Sequence, residues 1–154
     1  MLKTSQLFHR ISLVFFTICL LLFLASFVSA PGDLTDDVLR YTNQFRKSRG
    51  ISALVMRDEL NAIASKHSED MAKGRCSFGH GGYEKREIQV RRIFQSGSMA
   101  ENVAYGPSTG REVVSLWKNS SGHRRNMLGN YKYIGIGIAR DRHGIVYYTQ
   151  IFIR

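Results

Sequence analysis

The chain predicts an α+β fold in which an antiparallel sheet lies between helical layers. Two observations carry that expectation. Between residues 34 and 128 the apolar side chains recur at helical spacing, with capping residues ahead of them and glycines behind. From residue 134 onward they alternate or run continuously, as the two arms of a hairpin do. Helices first and a hairpin last, with no internal repeat, describe a layered domain with segregated elements.

Residues 1–30 stand apart. Lys3, His9 and Arg10 precede a nearly unbroken apolar run over residues 11–27, and Val28-Ser29-Ala30 has the small-residue pattern of a cleavage site. This is the signature of a signal peptide. The alternative is an uncleaved membrane anchor, because a spanning helix needs about 20 apolar residues and the run falls only slightly short. Residues 31–154 then form a single domain, large enough for its own core and too small for two. Only Lys3 and Arg10 of the 22 Lys and Arg fall in the leader, so the domain sets a surplus of roughly eight cations against its 12 Asp and Glu. That balance favours anionic partners such as envelope polymers or lipid head groups. No nucleic-acid motif accompanies the basic residues, and nucleic acid is not an expected partner. Beyond the leader Cys76 is the only cysteine, so no internal disulfide can form and the apolar core must hold the fold. The thiol is expected to be buried and inert.

Asp33 caps a first helix over residues 34–49, with Leu34, Val38, Tyr41 and Phe45 on one face and Gly50 at its end. Residues 51–56 form a brief extended piece. A second helix, with Asp58 as its cap, buries Leu60, Ile63, Ala64, His67 and Met71 and stops at Gly74. His67 in that stripe reads as a hydrogen-bonded core histidine. Residues 76–83 are a glycine-rich loop holding His80. A shorter basic helix over residues 84–95 turns Ile88 and Ile93 inward, residues 96–100 are loop, and residues 101–106 lead to Pro107. Thr109 and Glu112 have the spacing of a capping box, opening a helix that buries Val113, Leu116 and Trp117. A second short helix, with the Ser120 and Ser121 hydroxyls ahead of it as caps, carries His123 and Asn126 and ends at Gly129. Ile134, Ile136 and Ile138 alternate with Gly135, Gly137 and Ala139, a strand with one bulky face and one bare face that another element can approach closely. Residues 141–144 turn the chain with His143 in the turn. Residues 145–153 return as a strand apolar enough to be covered on both faces.

Three side chains carry the candidate chemistry: His80, Glu101 and His123. His123 falls in the first turn of its helix, where the positive dipole end favours the neutral ring, the form that binds metal or accepts a proton. Two imidazoles, one carboxylate and a water suit zinc or another divalent cation, yet the three residues lie far apart in sequence and form no local motif of the HExxH kind. Nucleophilic catalysis is poorly served. Ser120 and Ser121 adjoin His123, where neighbours on a helix do not face each other, and capping is their expected work. No catalytic residue is assigned. Asn119-Ser120-Ser121 also has the form of a glycan acceptor, a modification that is not expected here.

The segments FGHGG, MAENVAYG, WKNSSGHRRNML, YIGIGIA and YYTQIF, in this order, resemble the motif series of the CAP superfamily. That superfamily includes cysteine-rich secretory proteins, antigen 5 and plant pathogenesis-related proteins. The chain is most similar to the short bacterial SCP-domain type, over residues 34–152. The resemblance implies a three-layer α-β-α sandwich with a shallow cleft that typically holds two histidines and two acidic residues. His80 corresponds to the first histidine, Glu101 to the glutamate of the Glu-Asn pair, and His123 to the second histidine. The second acidic position falls near Asn119 or Ser120, where no carboxylate stands. Trp117, Asn126 and Gln150 also match family positions, with packing implied for Trp117 and backbone hydrogen bonding for the other two.

The resulting expectation is a secreted, extracellular or periplasmic, non-enzymatic binding module. His80 and His123 hold a divalent metal, Glu101 holds a water or polarises one ring, and small or lipid ligands of the kind the family binds are further partners. A membrane is a partner only if the leader stays attached. Two alternatives remain: a zinc-dependent hydrolase with Glu101 as base, and a basic cell-envelope or host-interaction module to which the cleft is incidental. His80 and His123 are expected close enough to share a metal or water, with His67 and His143 elsewhere.

Overall fold

The computed structural model describes residues 33–95 and 98–154, so the expected leader and its cleavage site lie outside the described residues. In chain order the elements are helix α1 (Leu34–Lys47), strand β1 (Val55–Met56), helices α2 (Asp58–Ala72) and α3 (Tyr83–Phe94), strand β2 (Met99–Tyr105), helices α4 (Gly110–Asn119) and α5 (Ser121–Leu128), and the hairpin β3 (Tyr133–Arg140) and β4 (Val146–Ile153). The sheet order is β1-β3-β4-β2. β4 pairs antiparallel with both β3 and β2, and only the two-residue β1 runs parallel to its neighbour β3.

Alternation along β3 sorts the two layers. Ile134 and Ile136 join Val38, Val113, Trp117, Met127 and Phe152 in the larger core, under α1, α4 and α5. Gly135 and Gly137 face the other way and let α2 settle onto the backbone. A Cβ on Gly137 would stand 2.1 Å from the carbonyl carbon of Ala64, and one on Gly135 2.3 Å from that of Leu60. Ile151 and Ile153 of β4 share this face and complete a smaller core with Leu60, Ile63, Ala64 and Val90. The result is the expected three-layer α-β-α sandwich. Gly137→Ala should force α2 off the sheet and cost about 3 kcal/mol, the upper end for an overpacked methyl. The denaturant midpoint checks this, and an unchanged midpoint would show that α2 is free to move outward.

β2 runs over Met99–Tyr105, so residues 99 and 100 are strand rather than loop, and residues 101–105 are more than a lead to Pro107. β2 is an edge, and its outward carbonyls are closed by side chains where another strand would otherwise add. Met99, Glu101 and Val103 accept from the Tyr83 hydroxyl (2.8 Å), Asn126 Nδ2 (3.1 Å) and Trp117 Nε1 (3.2 Å).

Several other expectations change. Arg57 precedes α2 with no side-chain cap, and Asp58 is the first helical residue, where its charge meets the helix dipole. Ser120 caps α5 by position but makes no capping hydrogen bond. Thr109 and Glu112 do form the capping box. Ile88 and Ile93 are exposed, at 51% and 46%. The inward stripe of α3 is Tyr83, Arg86, Val90 and Phe94, spaced at three and four residues, so Ile88 and Ile93 fall outside it. Leu116 is exposed as well, and Val114 takes the inward place beside Val113 and Trp117.

Candidate functional site

Glu101 sits in β2, and its carboxylate is wholly buried. Arg86, projecting from the first turns of α3 at 11% exposure, grips it with both arms: Nε donates to Oε2 at 2.6 Å and Nη2 to Oε1 at 2.7 Å. This planar fork is the strongest side-chain ion-pair geometry available. His80, on the glycine-rich loop, donates from Nδ1 to Oε1 at 2.9 Å. A carboxylate acceptor fixes that tautomer and leaves Nε2 of a half-exposed ring free to accept.

His67 belongs to the same network, which corrects the expectation that it lies elsewhere. Its ring is buried in α2. Nε2 donates to the Gly79 carbonyl at 2.8 Å, and Nδ1 accepts from Arg86 Nη1 at 3.2 Å. Arg86 Nη1 also donates to the Gly81 carbonyl at 2.7 Å. One guanidinium therefore ties α2, the His80 loop and β2 together. Nothing in the apolar pattern marked Arg86, because a cation on a basic helix reads as a solvated face. Its place in the stripe of α3, four residues from Val90, was the available signal.

His123 is reached from the other side of β2. Asn102 donates from Nδ2 to the His123 carbonyl and to Gln150 Oε1, both at 3.2 Å, and its Oδ1 accepts from Asn126 Nδ2 at 2.9 Å. Gln150 Nε2 donates to Thr42 Oγ1 at 2.9 Å. Asn126 bonds backbone, as expected, but Gln150 bonds two side chains instead. This buried chain of amides docks α5 on the sheet. His123 Nδ1 is buried without a partner among the described residues. Burial, and then the nearby His80, push the ring below its ordinary 6.5. His143 lies in the hairpin turn, away from the site.

Among the described residues no three His, Cys, Asp or Glu side chains gather to hold a metal. Both Glu101 oxygens are already engaged, so a cation would have two ring nitrogens, His80 Nε2 and one of His123, as its protein donors. The unpaired buried nitrogen of His123 fits such a donor set. Behind Arg86, a groove of about 500 Å³ between α2 and α3 is walled by His67, Ile63 and Ile93. Cys76 stands on its rim, partly exposed and not buried as expected.

The His67 ring is also depressed below 6.5, first by burial and then by the Arg86 charge. Both histidines therefore protonate more readily in the unfolded chain than in the folded one. Stability is complete above about pH 6.5 and is lost as the pH falls below it, levelling off beneath the folded-state values. The melting temperature should drop between about pH 7.5 and about pH 5. The drop should be smaller in His67→Gln and His123→Gln, and an identical slope in both variants would contradict the assignment.

The three-layer sandwich is the fold of solved SCP domains. Residues 39–152 match the model of the CAP cysteine-rich secretory protein family, and the chain belongs to that family. It is 33% identical over 122 residues to the uncharacterized membrane protein YlbC of Bacillus subtilis, covering 76% of this chain and 33% of that one. It is 34% identical over 132 residues to the uncharacterized protein YkwD of the same organism, covering 81% and 50%. An extracellular SCP-domain protein from Bacillus anthracis superposes with a TM-score of 0.68 at 28% identity, covering 79% of this chain and 40% of that one. The chain thus spans between a third and a half of the length of these relatives, and it is of the bacterial type of the family.

Proposed function

We propose that this chain is an exported, non-enzymatic binding module whose site beside β2 takes a divalent cation through His80 and His123. One observation carries the reading. The only carboxylate at the site among the described residues has both oxygens bound, two contacts from Arg86 and one from His80, and a buried carboxylate so held is a poor general base. Its remaining role is to polarise the His80 ring from Nδ1, the second-layer carboxylate arrangement that tunes a metal-binding histidine. A cation there would add positive charge with which to anchor a small polar or lipid head group. Export is supported by the leader-like residues 1–30 and by the extracellular and membrane descriptions of the relatives. The surplus of roughly eight cations over residues 31–154 favours anionic envelope material as a partner.

Calorimetric titration of the protein with zinc tests this. One site is expected, weakened at least about tenfold by His80→Ala and by His123→Ala. Binding unchanged in both variants, or no binding at all, would refute it. Hydrolysis of peptide, ester or cell-wall substrates, abolished by both His80→Ala and Glu101→Ala, would overturn the non-enzymatic reading.

A further inference from the structure

We propose that the seam between α1 and α4 is a second binding site, for a small sugar or polyol carrying a phosphate monoester. It lies in the larger helical layer and does not depend on the metal site.

The two helices run side by side in the same direction. They close at one end, where a Cβ on Gly110 would stand 2.7 Å from backbone atoms of Asp37 and Val38. Further along, the guanidinium carbon of Arg111 lies 5.4 Å from the Tyr41 ring centroid, and Lys118 Nζ lies 5.1 Å from that of Phe45. These four residues help to wall a hollow of about 420 Å³, and no Asp or Glu among the described residues lines it.

Both cations are unneutralised. Neither Arg111 nor Lys118 pairs with a carboxylate among the described residues. Arg111 Nε donates to the Tyr41 hydroxyl at 3.3 Å, and its two terminal nitrogens have no acceptor among the described residues. The ring contacts hold the two charges in place and leave donors for a ligand. Glu112, next to Arg111 in sequence, is turned to the start of α4, where it accepts from the backbone N–H groups of Ser108 and Thr109 at 3.0 and 3.1 Å. Arg40 over Tyr41 and Arg49 over Phe45 add further positive charge from α1. The hydrogen bond from Arg111, and then that with Arg40, hold the Tyr41 phenol below its ordinary 10, as a positive field should.

Charge and donors select the ligand class. Two unpaired cations match a dianion, and a phosphate monoester carries nearly two charges on three acceptor oxygens at neutral pH. A carboxylate or a phosphodiester brings only one. Ser115, one turn from each cation on α4, offers a hydroxyl between them. The phosphate group fills only part of the hollow. Across the seam Gln44 offers its amide, and Ser48, whose hydroxyl donates to the Phe45 carbonyl at 2.7 Å, keeps lone pairs for a ligand hydroxyl. The apolar floor, Phe45 and Val114, is only 6% and 2% exposed, which leaves an acyl chain little to cover.

Glucose 6-phosphate, titrated by calorimetry and followed by amide chemical shifts, tests the proposal. Glucose 6-sulfate and glucuronate serve as singly charged controls on a similar ring. Glucose 6-phosphate should bind at least about fivefold more tightly than either, with its shifts in α1 and α4. Arg111→Gln and Lys118→Gln should each weaken it about tenfold. Both side chains are exposed and outside the cores, so the variants should fold. Affinity should fall as the pH drops through about 6, where the phosphate gains its second proton, and the sulfate should not follow. Vesicles of phosphatidylcholine with and without phosphatidate separate a lipid head group from a free ester. Phosphatidate-dependent binding that glucose 6-phosphate fails to displace would overturn the sugar assignment. Equal binding of the sulfate, indifference to both variants, or no binding of glucose 6-phosphate each overturns the proposal. Loss of binding in His80→Ala would move the ligand to the first site and overturn the seam while leaving the metal-site reading intact.

Discussion

Arg46→Leu is expected to lower the unfolding free energy by about 4 kcal/mol or more, enough to leave a marginal domain largely unfolded. Arg46 is 1% exposed in the last turn of α1, and it pairs with no carboxylate among the described residues. Four backbone carbonyls satisfy its guanidinium instead: Ser52 at 2.8 Å from Nε, Met127 at 2.7 Å and Gly129 at 2.9 Å from Nη1, and Tyr131 at 3.2 Å from Nη2. Burial holds the group below its ordinary basicity, so it is charged at a cost that these contacts offset. Leucine fills much of the volume but abandons four carbonyls, each worth about 1 kcal/mol or more when left unpaired indoors. Three of the four carbonyls belong to the end of α5 and the approach to β3, so the damage should also loosen the His123 helix. Arg46→Lys keeps the charge with fewer, less directed donors and should recover only part of the loss. Urea melts of the three proteins check the order. A leucine variant within about 1 kcal/mol of wild type would mean that water replaces the guanidinium.

Arg46 and Arg86 explain why the layers were easier to read from the sequence than the site. The bare face of β3, the capping box at Thr109 and the amphipathic stripes of α1 and α2 are local patterns, written within one or two turns, and they appear in the structure. β2 was missed because its alternation is broken by Glu101 and Asn102, two polar residues buried at 4% and 0%. Their partners, Arg86, Asn126 and Gln150, are 15 to 48 residues away, and no period reports such pairs. Arg46 lies beside Lys47 and Arg49, and Arg86 among Glu84, Lys85 and Glu87, turns in which position among charges says nothing of burial. His80, Glu101 and His123 were singled out by the helix-start position of His123 and by motif order. What motif order could not supply was the counter-charge that decides how Glu101 behaves.

That counter-charge makes Glu101→Ala the most informative change at the site. It should cost about 3–5 kcal/mol, the usual loss when one member of a buried ion pair is removed. The variant strands a guanidinium at 11% exposure with two empty donors and frees the His80 ring from its acceptor. Arg86→Ala should cost a similar amount for the mirror reason, because it leaves the buried carboxylate with His80 as its only partner. The double variant Glu101→Leu with Arg86→Met should then be more stable than the sum of the two single losses, by about 2 kcal/mol or more, since neither charge remains to be stranded. If Glu101 instead served mainly as a base or metal ligand, with Arg86 incidental, the single losses would simply add. Zinc titration of the same double variant separates structure from function. The fold should return while the affinity stays below wild type, because His80 keeps its ring but loses the carboxylate that sets its tautomer.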